Sequence, residues 1–169
     1  MSKKRIVFKW IVFGLAIAIN IFIIVNGFLN GDVSAKESDG FSKAAADVIN
    51  SVNEDTITKE NFPAFASFNR KLFGHFLLFV ASGLTSTFAI HDFVTHPKIS
   101  KSYFIFTISF GFGVVIAVIS ELAQLTTSGR AFSFIDILID SGGYLFGSAV
   151  IFVIYFVKEI KNRNIQVLQ

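Results

Sequence analysis

The chain has 169 residues, of which 53% are hydrophobic and only 16% are charged, and its formal net charge is +3. Soluble domains contain about 45–50% apolar and about 25% charged residues, so this composition excludes a disordered protein and argues against a soluble enzyme. Because the chain has no cysteine, a disulfide scaffold, a thiolate metal site and a cysteine nucleophile are also excluded.

Four stretches of the sequence are long and apolar enough to cross a bilayer, which takes about 20 consecutive apolar residues. Lipid offers no partner for unpaired backbone groups, so each stretch is predicted to be a helix and the fold to be all-α. We therefore expect a polytopic integral membrane protein that forms one domain over residues 1–169. The predicted spans are residues 8–29, 72–90, 103–125 and 132–157, and a long outer loop covers residues 30–71.

The first apolar stretch has two interpretations. Basic residues at 3–5 precede it, and Val33-Ser34-Ala35 resembles a small-residue cleavage site, as in a secretory signal peptide. The apolar core of a signal peptide is about 7–15 residues long, whereas this run is about 22 residues long. We therefore interpret it as a retained membrane anchor.

The outer loop contains apolar residues at helical spacing, which predicts short amphipathic helices at the outer membrane interface. Its Ser34–Gly40 part lacks this spacing and is interpreted as a solvated loop. The two spaced series are Ala45, Val48, Ile49 and Val52, and then Phe62, Phe65 and Phe68.

The positions of lysine and arginine predict that both termini are cytoplasmic, because cytoplasmic segments of membrane proteins are enriched in these residues. With four crossings, the basic segments fall on one side, and the acidic outer loop and the Thr126–Ala131 turn fall on the other. The expected location is the cell membrane. The basic residues are Lys3, Lys4, Arg5 and Lys9 near the N-terminus, Lys98 and Lys101 in the second turn, and Lys158, Lys161 and Arg163 in the tail.

Three spans each carry ionisable or small residues at separations of three and four, which place them on one helix face. Charged residues inside a span usually face the bundle interior, and small residues such as the Gly143-x-x-x-Gly147 pair allow helices to approach closely. We therefore predict that these faces contact one another. They consist of Lys71, His75, Leu78 and Ser82; Gly113, Ala117, Glu121 and Gln124; and Asp136, Asp140, Gly143 and Gly147.

The ionisable residues of the spans are predicted to meet in the outer leaflet. With a rise of about 1.5 Å per residue, Glu121 lies about 6 Å below the outer end of its helix, and the fourth span starts from that same end. The cytoplasmic half of the bundle is expected to be almost wholly apolar. The predicted binding cluster consists of Lys71, His75, Glu121, Gln124, Arg130, Asp136 and Asp140, with Arg70 beside it.

The chemistry of this cluster allows several kinds of site, and the spacing does not choose among them. The basic side chains could hold a phosphate or carboxylate group. The carboxylates and His75 could instead bind a divalent cation, although we assign no metal ligands from the sequence. Glu121, His75 and Asp136 are candidates for general acid–base catalysis. A buried ion-pair network with only a structural role is the remaining interpretation.

Two motifs carry most of these residues, in a specific order and at specific spacings. Their quoted elements are Lys71-x-x-x-His75-Phe76, then Ser120-Glu121-x-x-Gln124, Gly129-Arg130 and Asp136-x-x-x-Asp140-x-x-Gly143-x-x-x-Gly147. Together they resemble the signatures of the VanZ-like membrane protein family, over roughly residues 70–147. Two positions depart from the family pattern: Asp140 stands where asparagine is common, and Ser128 where proline is frequent. The additional acid favours a proton-sharing carboxylate pair or a bound cation over a simple anion pocket.

The resemblance implies an envelope protein associated with reduced susceptibility to glycopeptide antibiotics, teicoplanin in particular, in Gram-positive bacteria. It implies no established catalytic mechanism. The implied partners are membrane lipids, a lipid-linked cell-wall precursor or a lipoglycopeptide, and no nucleic acid is expected. We favour a non-enzymatic protein that binds a lipid headgroup in an outer-leaflet pocket, with no cofactor other than the divalent cation that the carboxylates allow. The alternatives are a membrane-embedded enzyme acting on lipid phosphates and a structural or assembly protein.

Overall fold

The computed structural model describes residues 3–29, 31–93 and 101–167, and these residues form helices and turns without any strand. Lys98, one of the residues behind the predicted orientation, lies outside the described residues. The orientation of the chain in the membrane stays a prediction. The elements are α1 (Lys3–Gly27), α2 (Gly31–Val52), α3 (Phe62–Asn69), a π-helical segment (Arg70–Leu77), α4 (Leu78–Phe93), α5 (Lys101–Gln124) and α6 (Phe134–Val167).

Within the described residues, four helices are long and apolar enough to span a membrane, which confirms the predicted all-α architecture and the four predicted spans. The second of them is longer than predicted, because α3, the π-helical segment and α4 continue one another as a single helix. The predicted amphipathic series at Phe62, Phe65 and Phe68 is therefore the first part of this helix. The four membrane-length helices are Lys3–Gly27, Phe62–Phe93, Ser102–Gln124 and Phe134–Lys161.

The bundle is built around α4 and α5, which lie between α1 and α6. α6 packs along both of them, and α1 packs on both from its own side. The buried core joins Ile23 of α1, Phe79 of α4, Ile116 of α5 and Tyr144 of α6. Many large apolar side chains point outward instead, as expected for helices surrounded by lipid.

Glycines bring α6 into backbone contact with the helix of the second span. A Cβ atom on Gly143 would overlap the carbonyl oxygen of Phe76, and one on Gly147 would overlap the carbonyl oxygen of Val80. Gly83 of α4 meets the backbone of Tyr144 in the same way. The small residues of the fourth span therefore lie at a close helix contact, where small side chains permit the approach.

The Ser34–Gly40 segment belongs to helix α2, so its interpretation as a solvated loop is wrong. Serine, aspartate and glycine disfavour a helix, but this tendency is weak and tertiary packing overrides it. α2 packs against α3. The ring of Phe41 lies 5.0 Å from that of Phe73, and the buried Ser42 accepts a hydrogen bond of 3.4 Å from Asn69.

The half of the bundle farthest from the start of α6, which was predicted to be almost wholly apolar, contains an ion pair and a group of hydroxyl contacts. Lys9 of α1 pairs with Asp92 of α4 across 3.4 Å. The buried hydroxyl of Thr87 is hydrogen-bonded to those of Ser109 and Ser148. Such short hydroxyl side chains fit between helices and satisfy one another, so hydropathy does not reveal them.

Candidate functional site

The polar side chains of three spans meet where α1 and α5 end and α6 begins, which we call the polar end of the bundle. They surround a cavity of about 310 Å³. Lys71 and Glu121 do not line it but contact residues that do. The lining residues are Ile23, Asn26, Gly27, Arg70, Gly74, His75, Leu78, Phe79, Ser120, Gln124, Gly129, Arg130, Ala131, Asp136 and Asp140.

The second span enters this site in the π-helical form over Arg70–Leu77. Its Lys71 and His75 both face α6. Lys71 Nζ lies 3.9 Å from Asp136 Oδ1, and His75 Nδ1 lies 3.1 Å from Asp140 Oδ1. π-helical turns are rare and occur frequently at functional sites, which marks this segment as part of a candidate site.

Glu121 of α5 is fully buried, and both of its carboxylate oxygens accept hydrogen bonds. Gln124 Nε2 donates to Oε1 at 2.7 Å, and the backbone N–H of Ser133 donates to Oε2 at 3.0 Å. The hydroxyl of Ser133 in turn accepts a hydrogen bond from the backbone N–H of Asp136, which caps α6. Glu121 therefore ties the end of α5 to the start of α6.

Asp140 of α6 is buried, with 1% of its side chain exposed. Its Oδ1 contacts His75, whereas its Oδ2 has no hydrogen-bond partner among the described residues. Among the described residues, three side chains lie close enough together to hold a metal ion, because one ligand atom of each lies within 4.8 Å of the other two. They are His75, Glu121 and Asp140. His75 beside Asp140 is also the pair best placed for proton transfer.

Arg130 is positioned by the turn between α5 and α6. Gly129 has a φ of 78°, a left-handed conformation that favours glycine, and it directs the chain back toward α1. The guanidinium of Arg130 donates from Nη1 to the carbonyl oxygen of Asn26 at 3.1 Å. Burial lowers the pKa of Arg130; the charge of Glu121 opposes this change, and the nearby charge of Arg70 adds to it.

The structure brings the predicted residues together, but only some of them form the ion pairs expected of a buried ion-pair network. Lys71 pairs with Asp136, and Gln124 binds Glu121. Arg130 forms no ion pair with a carboxylate within the part of the chain that the structure describes; its partner is a backbone carbonyl.

The contribution of α1 to the site was not predicted, because its long apolar run indicated only a membrane anchor. Asn20 donates to Ser86 Oγ and accepts from Ser82 Oγ, and Asn26 and Gly27 line the cavity. The available signal was the presence of two asparagines in an otherwise apolar span, since polar residues in spans usually face other helices.

One comparison with known proteins gives a match. A family model described as VanZ/LLP1 matches residues 8–156, which confirms the resemblance to a VanZ-like family and includes every residue of the site described above. No curated protein matches the chain, and no solved structure matches it.

Proposed function

Because the chain belongs to the VanZ/LLP1 family, we propose that it is a protein of the bacterial cell envelope whose polar cavity binds an anionic lipid headgroup. The ligand would be a membrane lipid or a lipid-linked cell-wall precursor. The observation that carries this proposal is a pair of arginines, Arg70 and Arg130, that line the same cavity without a carboxylate partner among the described residues.

Two guanidinium groups at one cavity form a site for phosphate. Each presents several N–H donors in a planar fork that matches phosphate oxygens, and charge-assisted hydrogen bonds of this kind are strong. Arg70 is close enough to lower the pKa of Arg130, so the two charges repel each other. An anion between them would relieve this repulsion and replace the water lost by the half-buried Arg130.

The surroundings of the cavity suit a lipid rather than a free anion. Phe28, Phe73, Leu122 and Phe134 each lie within two residues of a residue that lines the cavity, and about half or more of their surfaces are exposed. Acyl chains would lie against such side chains while the headgroup enters the cavity. We place the polar end at the outer leaflet, in agreement with the predicted cytoplasmic position of the basic termini.

Lipid retention and antibiotic susceptibility test this function together. We expect purified wild-type protein to retain anionic lipid and its expression in a susceptible Gram-positive host to lower susceptibility to teicoplanin. Arg70→Gln/Arg130→Gln should retain at least tenfold less anionic lipid and give no protection, because the phosphate loses both of its charged donors. Mass spectrometry of co-purified lipid and growth inhibition measure the two effects.

The exposed Lys158 at the opposite end provides the matched control, since Lys158→Gln removes a positive charge without touching the cavity. Equal lipid content and equal susceptibility for wild type and the double arginine variant would overturn the proposal. Release of phosphate from lipid phosphates by the wild type, abolished in His75→Gln, would instead support the enzymatic alternative, which the His75–Asp140 pair beside the cavity favours.

A further inference from the structure

Three side chains capable of binding metal meet beside the cavity, and each comes from a different helix. The ligand atoms of His75, Glu121 and Asp140 lie within 4.8 Å of one another. They belong to the π-helical segment, α5 and α6, so the cluster exists only in the assembled bundle. The remaining acidic residue of the site, Asp136, lies 3.9 Å from Lys71 instead. Among the described residues, His75, Glu121 and Asp140 are therefore the polar residues of the spans that lie close enough together to share a metal ion.

Asp140 provides an independent indication that this cluster has a ligand. Its Oδ2 is buried and has no hydrogen-bond partner among the described residues. An unpaired buried polar atom costs free energy, and buried side-chain oxygens in native proteins almost always have a partner. Because Asp140 lines the cavity, a small ion in that space could reach this oxygen.

The balance of charge favours a divalent cation over a water molecule. Asp136 lies 3.9 Å from Lys71, and Asp140 pairs only with His75. Glu121 forms no ion pair in the ranges that the structure describes, although the charge of Arg130 acts on it from a greater distance. Two carboxylates buried within a membrane protein require compensating positive charge. One divalent cation supplies two charges and leaves the histidine neutral, the form in which imidazole binds metal.

We propose that His75, Glu121 and Asp140 bind one divalent transition-metal ion of the Zn²⁺ or Mn²⁺ type. One imidazole nitrogen with two carboxylates suits these ions, whereas Mg²⁺ and Ca²⁺ prefer oxygen ligands alone. Neighbouring ligand atoms in a tetrahedral zinc site are about 3.3 Å apart. His75 Nδ1 and Asp140 Oδ1 lie 3.1 Å apart as a hydrogen-bonded pair, and an ion bound by both atoms would replace that hydrogen bond. Binding of an ion would require the three ligand atoms, which lie within 4.8 Å of one another, to move closer together around it.

The surroundings of Glu121 resemble the outer shell of a metal site. The hydrogen bonds from Gln124 and from the Ser133 backbone fix the orientation of its carboxylate, as outer-shell groups do for metal ligands. Three protein ligands leave a coordination position open. That position would face the cavity lined by Arg130, where a phosphate oxygen of a headgroup could bind. This last step rests on the proposed function, whereas metal binding itself does not.

Metal titration of the full chain in detergent tests the inference. Protein stripped with a chelator should bind one Zn²⁺ or Mn²⁺ per chain, and the thermal midpoint should rise by several degrees, because an ion that binds only the folded state stabilises it. Asp140→Asn and Glu121→Gln should each weaken binding at least tenfold. Elemental analysis and calorimetric titration give the stoichiometry and the affinity.

The matched control is Asp92→Asn, which alters a carboxylate at the opposite end of the bundle and should leave metal affinity unchanged. Gln124→Ala removes the hydrogen bond to Glu121 but no metal ligand, and it should weaken metal binding about tenfold or more. This variant tests the site even if the ligand variants fail to fold. Stripped wild-type protein that takes up no ion, or equal affinity in wild type and Asp140→Asn, would overturn the metal site. Arg70→Gln/Arg130→Gln should still bind the metal while losing the lipid headgroup. The double variant therefore distinguishes failure of the metal site from failure of the proposed headgroup binding.

Discussion

Glu121 is the ionisable residue on which the local structure of the site depends most directly. It is fully buried, and it accepts one hydrogen bond from a side chain and one from the backbone. Lys71 contributes differently, because 41% of its side chain is exposed and its 3.9 Å pair with Asp136 is at the limit of an ion pair. Exposed pairs of this kind contribute little to stability. The buried carboxylate of Glu121 therefore contributes more to the stability of the site than the exposed Lys71–Asp136 pair does.

Glu121→Ala should lower the free energy of unfolding by about 1–3 kcal/mol, because it leaves two part-buried donors without their acceptor. Glu121→Gln keeps an acceptor oxygen, so its effect on stability should be smaller. Thermal unfolding in detergent micelles measures the difference. The exposed Glu60 supplies the comparison, and an equal effect of Glu60→Ala would contradict a specific role for Glu121.

The sequence was sufficient to single out the ionisable residues of the site, but not their partners or the asparagines of α1. Charges inside apolar spans are rare, and their helical spacing indicated one interior face for each of three helices. The partner of Arg130 is a backbone carbonyl of α1, and such a group leaves no mark on the sequence. The cavity was equally unpredictable, because its volume depends on how four helices pack at their ends.

At the scale of helices, the contact between the second and fourth spans depends on close-packed glycines, of which two belong to α6. Gly143 and Gly147 lie against backbone carbonyl groups, with no room for a methyl group. Gly142 belongs to the same helix, and an added Cβ there meets nothing within 4 Å. Gly142 and Gly143 are thus adjacent in one helix, but only Gly143 contacts the backbone of the second span. They form a matched pair for measuring how much this close contact contributes to stability.

Gly143→Ala and Gly147→Ala should each destabilise the protein by about 1–3 kcal/mol, since the added methyl group forces the helices apart. Gly142→Ala should be neutral or stabilise by up to about 1 kcal/mol, because alanine favours a helix. Unfolding in a graded denaturing detergent compares the three variants. A loss of stability at Gly142→Ala equal to that at Gly143→Ala would show that the close contact is not what the glycines provide.

The helices themselves were predictable to differing degrees. Apolar length predicted the number of spans, because a single apolar stretch of about 20 residues satisfies its own backbone hydrogen bonds in lipid only as a helix. The extent of α2 was not predictable, since contacts of Phe41 and Ser42 with the second span hold a segment whose composition suggests a loop. The hydroxyl contacts around Thr87 also escaped detection, because serine and threonine occur in spans for many reasons.

At the scale of the whole molecule, the orientation determines which compartment the cavity faces. The chain has no cysteine, so single cysteines can be placed at both ends without background. Ser128→Cys, in the turn at the polar end, should react with a membrane-impermeant maleimide in intact cells. Lys161→Cys, near the opposite end of α6, should react only after permeabilisation. The reverse pattern would place the cavity in the cytoplasm and contradict the proposed function.

The link between Glu121 and Ser133 also has a consequence for biogenesis. A helix carrying a buried carboxylate is costly to insert into a bilayer alone. The Ser133 backbone, which directly precedes α6, offers that carboxylate a hydrogen bond as soon as the following helix folds back. We therefore expect α5 and α6 to enter the membrane as a closed hairpin, with α6 serving as the insertion partner of α5.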